Sequence, residues 1–260
     1  MSLKKRLIKR RISDLSKKIP IIVYKTTDST NTQAKLAAES GKYESAVFIA
    51  GEQTAGRGRL GRNFISESGK GLYLSILISG SFAPDFAVSL TTYMAVVASR
   101  AIEKLTDTEP KIKWVNDIYL GGKKAAGILT EGKASDDGSS LSYAVIGIGI
   151  NLLKQDFTDE VKKIATTLED ECEKKVDIND LGAVIVKEFF ERLDLAGTKE
   201  IADEYKSRSF LIGEEVTVIK PSGSYDALVK DITDKCELLL ALNDGSIETL
   251  STGEVSVRKK

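Results

Sequence analysis

The 260-residue chain contains no histidine. That removes imidazole as a general base, metal ligand or phosphoryl carrier, and argues against a serine-hydrolase triad or an ordinary zinc hydrolase. Cysteine is nearly absent as well. Cys172 and Cys236 lie far apart, in no CxxC spacing. They read as reduced thiols of a cytoplasmic protein, and neither suits a nucleophile. No apolar run approaches the roughly 18 residues of a membrane span, and no signal peptide is visible. Net charge is missing too, because 38 Lys and Arg balance 38 Asp and Glu. Bulk electrostatics therefore do not make the chain a polyanion binder, and any anion site must be local.

What remains is ordinary globular material, 29% charged and 42% hydrophobic, long enough for one good core and a smaller appended domain. The opening MSLKKRLIKRRISDLSKKIP is basic, with Asp14 as its one acid. Ile8, Ile12, Leu15 and Ile19 fall at helical spacing, which predicts an amphipathic helix, solvated or docked. From Ile21 to about residue 208, strand-like and helix-like segments alternate. PIIVYKT suits a strand, and STNTQAKLAAESG suits a helix with Ser29 or Thr30 near its N-cap. SAVFIAGEQ and GKGLYLSILIS are further strands, and SLTTYMAVVASRAIEKL is a helix with a buried face. IKWVNDIYLGGKKAAGILTE reads as a hairpin turning at Gly121-Gly122. LSYAVIGIGINL suits a central strand, followed by helices over about 179–195 and 199–207. Beyond Phe210, short strands with turn signals at Pro221-Ser222-Gly223 and Asn243-Asp244-Gly245 predict a small all-β barrel domain. The expected division is a basic extension over 1–20, a catalytic domain over 21–208 and a β domain over 209–260.

Four stretches carry chemistry-bearing residues. GEQTAGRGRLGR puts Arg57, Arg59 and Arg62 among Gly56, Gly58 and Gly61 directly after a strand. Glycines permit positive φ and close backbone approach, and guanidiniums are planar forks of donors, so together they suit phosphate or carboxylate. A Walker loop is excluded, since no GxxxxGK[ST] occurs, and no GxGxxG opens a helix. Ser29, Thr30 and Asn31 at a strand-to-helix junction are helix caps or the binding groups for a neutral polar ligand head, with Gln53 adding an amide. Across the hairpin, Lys124 and one or both of Asn116 and Asp117 are placed to share a pocket. GIGIN puts Gly147 and Gly149 inside a strand, where glycine costs stability unless a ligand or a helix must approach closely.

These stretches, in this order, resemble the biotin protein ligases (biotin–[acetyl-CoA-carboxylase] ligases): STN, GRGRLGR, KWVND with a downstream lysine, then GIGIN. The tail from LIGEEV to GEVSVR resembles that family's SH3-like C-terminal domain. The resemblance implies an α+β, class-II-synthetase-like mixed and largely antiparallel sheet flanked by helices. It also implies ATP-dependent conversion of biotin to biotinyl-5′-AMP with Mg²⁺, then transfer to a lysine of a biotin carboxyl carrier protein. Carried over by position, Ser29, Thr30, Asn31 and Gln53 match contacts to the biotin head. Arg57, Gly58 and Arg59 match the loop that closes over biotin and adenylate, and Arg62 a phosphate contact. Lys124 matches the lysine at the reacting carboxylate, Gly127 and Gly147 pocket-lining glycines, and Asn116 and Asn151 adenylate contacts. With histidine absent, Asp117 is the candidate proton acceptor; no residue is assigned to a metal.

Two departures stand out. Val115 occupies the family's usual proline position. The first 20 residues also cannot supply the winged-helix domain of regulatory members, so a monofunctional ligase without DNA binding is expected. A homodimer follows from the resemblance alone. The rival readings are a lipoate ligase, whose glycine-rich motif carries a histidine that this chain lacks, and an RNA-binding protein using the GRGR loop.

Overall fold

The computed structural model describes residues 3–220 and 222–251, and the backbone of 256–259. Pro221 and residues 253–255 of GEVSVR, both noted in the sequence, lie outside the described residues. In chain order the elements are α1 (Lys5–Arg11), α2 (Leu15–Lys18), β1 (Ile21–Tyr24), α3 (Thr30–Glu39), β2 (Ser45–Ala50), β3 (Gly71–Phe82), α4 (Phe86–Thr106), β4 (Lys111–Lys113), β5 (Asp117–Leu120), β6 (Lys123–Ala134) and β7 (Leu141–Asn151). Then come α5 (Asp159–Lys162), α6 (Leu168–Glu171), α7 (Ile178–Glu191), α8 (Lys199–Arg208), β8 (Glu215–Lys220), β9 (Gly223–Ile232), β10 (Leu238–Leu242), β11 (Ile247–Leu250) and β12 (Ser256–Lys259).

Strands β1 to β7 form one sheet in the order β1-β2-β3-β7-β6-β5-β4. Only the β1–β2 pair is parallel; β2–β3, β3–β7, β7–β6, β6–β5 and β5–β4 are antiparallel. This is the mixed, largely antiparallel sheet expected. Its central strands read as nearly continuous apolar runs because both faces are covered. Gly121 and Gly122, at φ 53° and 77°, turn the β5–β6 hairpin, the twist that a two-residue connection requires. Helices α4 and α7 cover one face, where Leu74, Ile76, Ile148 and Ile150 meet Tyr93, Val97, Leu181 and Ile185 in a single buried cluster. Helix α3 covers part of the other face, with Ala34 and Ala37 against Phe48, Leu77 and Val145.

The basic start is packed onto this scaffold. Ile8 and Ile12 are buried in the α4/α7 cluster. The Lys4 amide donates to Asn179 Oδ1 at 2.7 Å, and Arg11 pairs with Asp180. The single amphipathic helix expected is instead two short ones, parted at Ile12, whose φ of −119° leaves the helical region.

Beyond α8, strands β8 to β12 form a five-stranded antiparallel sheet in the order β11-β10-β9-β8-β12. Its inward residues Val216, Val218, Val229 and Leu240 join the same buried cluster as Ile112 and Trp114 of the seven-stranded sheet region. The small domain is therefore continuous in packing with the larger one, at the end of the sheet where KWVND lies.

Candidate active site

Register builds the floor of the site. Gly149 sits between Tyr73 and Gly127, and Gly127 is opposite Asp117. Two positions along, Gly147 sits between Ser75 and Leu129. Residues opposite one another, and those two apart on one strand, share a face. The three glycines thus leave a bare strip on the face that carries α3. A Cβ on Gly147 would fall 2.1 Å from Asn31 Oδ1, and one on Gly149 would fall 2.5 Å from the Phe64 ring. The close approach is made by side chains from α3 and the arginine loop. Above the strip lies a cavity of about 790 Å³, lined by every candidate residue named from the sequence. That volume is of the size that small-molecule sites take.

One end of the cavity is polar and uncharged. Ser29 is the N-cap residue of α3, but its hydroxyl does not cap the helix. Gln53 does so instead: its Oε1 accepts from the Thr30 amide at 2.8 Å and from Thr30 Oγ1 at 3.1 Å. Its Nε2 donates to Ser66 Oγ at 2.9 Å. Ser75 Oγ lies 2.7 Å from Thr30 Oγ1 and 2.6 Å from Asn31 Oδ1. Two hydroxyl protons thus serve three contacts, leaving acceptor capacity in excess, which suits a ligand that brings N–H donors.

The arginine loop departs from its expected conformation. Its left-handed residues are Leu60 at φ 56° and Gly61 at φ 70°, whereas Gly58 is extended at φ −117°. Gly56 is required by proximity, since a Cβ there would meet Phe64 O and Ser66 Oγ at 2.5 Å. The loop folds back on itself, with the Gly58 amide on Arg62 O at 2.7 Å and the Phe64 amide on Gly56 O at 2.9 Å. Arg57 pairs with Glu131 at 2.9 Å. Arg59 donates to Asn116 Oδ1 at 3.2 Å. Burial presses the Arg59 guanidinium below its usual range, with Asp117 and Tyr205 opposing and Arg62 adding to the effect. An anion in the cavity would relieve that desolvation cost. Arg62 is exposed at the rim.

The other end holds the hairpin residues. Lys124 Nζ donates to Asp117 Oδ1 at 2.6 Å, with both side chains partly buried. Asn116 Nδ2 donates to the Ile128 carbonyl at 2.8 Å and Asn151 Nδ2 to the Thr166 carbonyl at 3.1 Å. The Trp114–Val115 peptide is cis. Trp114 is buried, as expected, and its Nε1 donates to the Cys236 carbonyl at 2.9 Å. The fully buried Tyr205 hydroxyl donates to the Val115 carbonyl at 3.0 Å. The KWVND segment is thereby held from α8 and from the small β domain. Burial first, then the Asp117 charge, pushes the Tyr119 hydroxyl up to about 12.

Sequence reasoning missed several contributors. Glu131 and Ser75 organise the polar end, Phe64 stands over Gly149, and Phe157, Ile164 and Phe210 complete the walls. Alternation on β3 and β6 puts Ser75 and Glu131 on the cavity face, a signal available once the register is known. The loop residues carry no comparable signal. Among the described residues no group of three or more acidic or sulfur side chains is placed to hold a metal.

Residues 23–151 match the model of the biotin/lipoate A/B protein ligase family, and residues 211–258 match the biotin protein ligase C-terminal domain. The chain is 33% identical over 230 residues to the bifunctional ligase/repressor BirA of Bacillus subtilis (strain 168), covering 86% of this chain and 70% of that protein. It is 31% identical over 237 residues to the biotin–[acetyl-CoA-carboxylase] ligase of Mycobacterium tuberculosis, covering 88% and 85%. Among solved structures it is similar to the Aquifex aeolicus biotin protein ligase in complex with biotin and ATP, with a TM-score of 0.79, 29% identity, and coverage of 93% of this chain and 99% of that one. The chain belongs to the biotin/lipoate A/B protein ligase family, and to those members that carry the biotin protein ligase C-terminal domain.

Proposed function

We propose that this chain activates biotin with ATP to give biotinyl-5′-AMP and pyrophosphate, then transfers the biotinyl group to one lysine of a biotin carboxyl carrier protein. One observation carries the reading. A single cavity joins a neutral, acceptor-rich end at Thr30, Asn31 and Gln53 to an end where Lys124 meets Asp117 beneath a loop of three arginines. The first end suits a ureido head, which donates two N–H groups; a dithiolane donates none.

Joining a carboxylate to the α-phosphate of ATP brings two anions together. Unit charges about 4 Å apart repel by roughly 4 kcal/mol at an effective dielectric near 20. Lys124, with Arg57 and Arg59 brought in by the loop, offsets this repulsion and receives charge as pyrophosphate departs. Arg62 adds a phosphate contact at the rim, and Asn116 and Asn151 are adenylate contacts. Gly147 and Gly127 let the Asn31 and Lys124 side chains lie close over the strand backbone, where they face the ligand, and Gly58 lies in the cavity wall. Mg²⁺ would be held by the ATP phosphates and would offset part of their charge; among the described residues no group of three or more acidic or sulfur side chains is placed to hold it. The mixed anhydride hydrolyses when wetted, so the 56–64 loop closes over it. In the second step a neutral acceptor amine attacks the anhydride carbonyl, AMP leaves with the bonding pair, and Asp117 accepts the amine proton.

Biotin-dependent exchange of labelled pyrophosphate into ATP tests the first step, with lipoate as the parallel substrate. Exchange with biotin alone is expected. Exchange driven by lipoate and not by biotin would reject the reading.

A further inference from the structure

Glu131 is outside the cavity lining, yet it touches two of its components. Its Oε2 accepts from Asn31 Nδ2 at 2.8 Å and from Arg57 NH2 at 2.9 Å, while Oε1 accepts from Lys35 Nζ at 2.8 Å. Asn31 is on α3, Arg57 on the loop and Glu131 on β6, so one carboxylate ties together three segments distant in sequence. The side chain is about one-fifth exposed. Burial alone would raise its pKa; hydrogen bonds from Lys35 and Asn31 and the nearby charges of Arg57 and Lys35 prevail and hold it low.

We propose that Glu131 is a positioning residue with two opposed effects on ligand binding. It fixes the amide of Asn31 for the biotin head, and it holds Arg57 back from anions until a ligand draws the loop over itself. This rests on the biotin reading above. The carboxylate is acceptor-only, so Asn31 presents Nδ2 to it at 2.8 Å and to the Leu129 carbonyl at 3.2 Å, and Oδ1 is turned toward Ser75 and the Gly147 strip. The same negative charge lowers the attraction that Arg57 exerts on a phosphate. Ligand entry at the head and release of the arginine are thus linked through one oxygen atom.

The sign of the two effects separates this role from a purely structural one. Glu131→Gln is nearly isosteric but presents only one acceptor oxygen to three donors. Titration calorimetry with biotin alone is expected to show about tenfold weaker binding, since the Asn31 amide loses its charged partner and keeps only the longer bond to the Leu129 carbonyl. Titration with inorganic pyrophosphate alone is expected to show binding roughly three- to tenfold tighter, since Arg57 loses its counter-charge. That gain should vanish in the Arg57→Ala/Glu131→Gln double variant relative to Arg57→Ala. If Glu131→Gln does not fold, Glu131→Asp keeps the charge: pyrophosphate affinity should then stay within about twofold while biotin binding weakens. Parallel weakening of both ligands in Glu131→Gln, or no change in either, would overturn the proposal; so would tighter pyrophosphate binding in Glu131→Asp. Wild-type protein that binds no biotin would instead defeat the functional reading, and the pyrophosphate comparison would still decide whether Glu131 restrains Arg57.

Discussion

Lys124 Nζ and Asp117 Oδ1 are 2.6 Å apart, on neighbouring strands of the β5–β6 hairpin and beside Gly127. The pair puts the cation assigned to the reacting carboxylate in contact with the group assigned to accept a proton. The two residues therefore should not fail in the same way. Lys124→Ala is expected to slow adenylate formation by about a hundredfold or more, the scale of losing one oriented charge-stabilising group. Asp117→Asn should slow transfer to the carrier lysine more than it slows pyrophosphate exchange. Rapid-quench measurement of the two half-reactions checks both, and near-wild-type exchange in Lys124→Ala would contradict its role.

Gly147→Ala places a methyl group where Asn31 Oδ1 now lies. The Asn31 side chain has to leave, taking its hydrogen bonds to Ser75 and Glu131 with it. Biotin affinity is expected to drop at least tenfold while the unfolding midpoint shifts by only a few degrees, consistent with a loss of about 1–2 kcal/mol. Calorimetry and thermal melts report the two quantities separately.

The KWVND segment is fastened by Tyr205 and by the Cys236 carbonyl, from residues 90 and 122 positions away. Tyr205→Phe removes one hydroxyl at nearly constant volume and strands the Val115 carbonyl. The cost to stability is expected to be about 1–2 kcal/mol. Because Asn116 and Asp117 follow directly, KM for ATP should rise with biotin affinity unchanged. Equal loss of biotin and ATP binding would point to general destabilisation.

These sites were unequally legible. The polar head residues, the arginine loop, the hairpin and GIGIN each announce themselves by local composition, and all converge on one cavity. The glycine pair also named its turn. Glu131, by contrast, reads as an ordinary charge near the end of a strand. Its significance comes from partners 74, 96 and 100 residues away, which no local period encodes. Gln53 was legible as a polar ligand group but not as the cap of α3, because that bond spans 23 residues. The docking of Ile8 and Ile12 likewise depends on where α7 lies.

Acid sensitivity follows from Glu204, which binds Arg100 Nε at 3.0 Å and Arg208 NH2 at 2.9 Å. Burial would raise its pKa, but these hydrogen bonds and charges outweigh it and hold the carboxyl below the usual 4.5. A depressed folded-state value means the contribution is complete above about pH 4.5 and is lost as pH falls through the folded pKa. Wild-type melting temperature should therefore fall steeply below that pH. Glu204→Gln should be less stable at neutral pH and show a shallower acid limb; an unchanged limb would contradict the assignment.

The loop supplies a further expectation. Arg57 is paired with Glu131, whereas Arg59 and Arg62 repel each other until an anion joins them. Amide exchange over residues 56–64 should slow markedly when biotin and ATP are both present, and equal rates with and without them would contradict loop closure.

The most direct measurement mixes the purified protein with labelled biotin, ATP and a biotin carboxyl carrier domain, then follows label onto the carrier. The account predicts ATP-dependent labelling of one carrier lysine, abolished when that lysine is replaced by arginine. A carrier that stays unlabelled while the protein binds both biotin and ATP would contradict it.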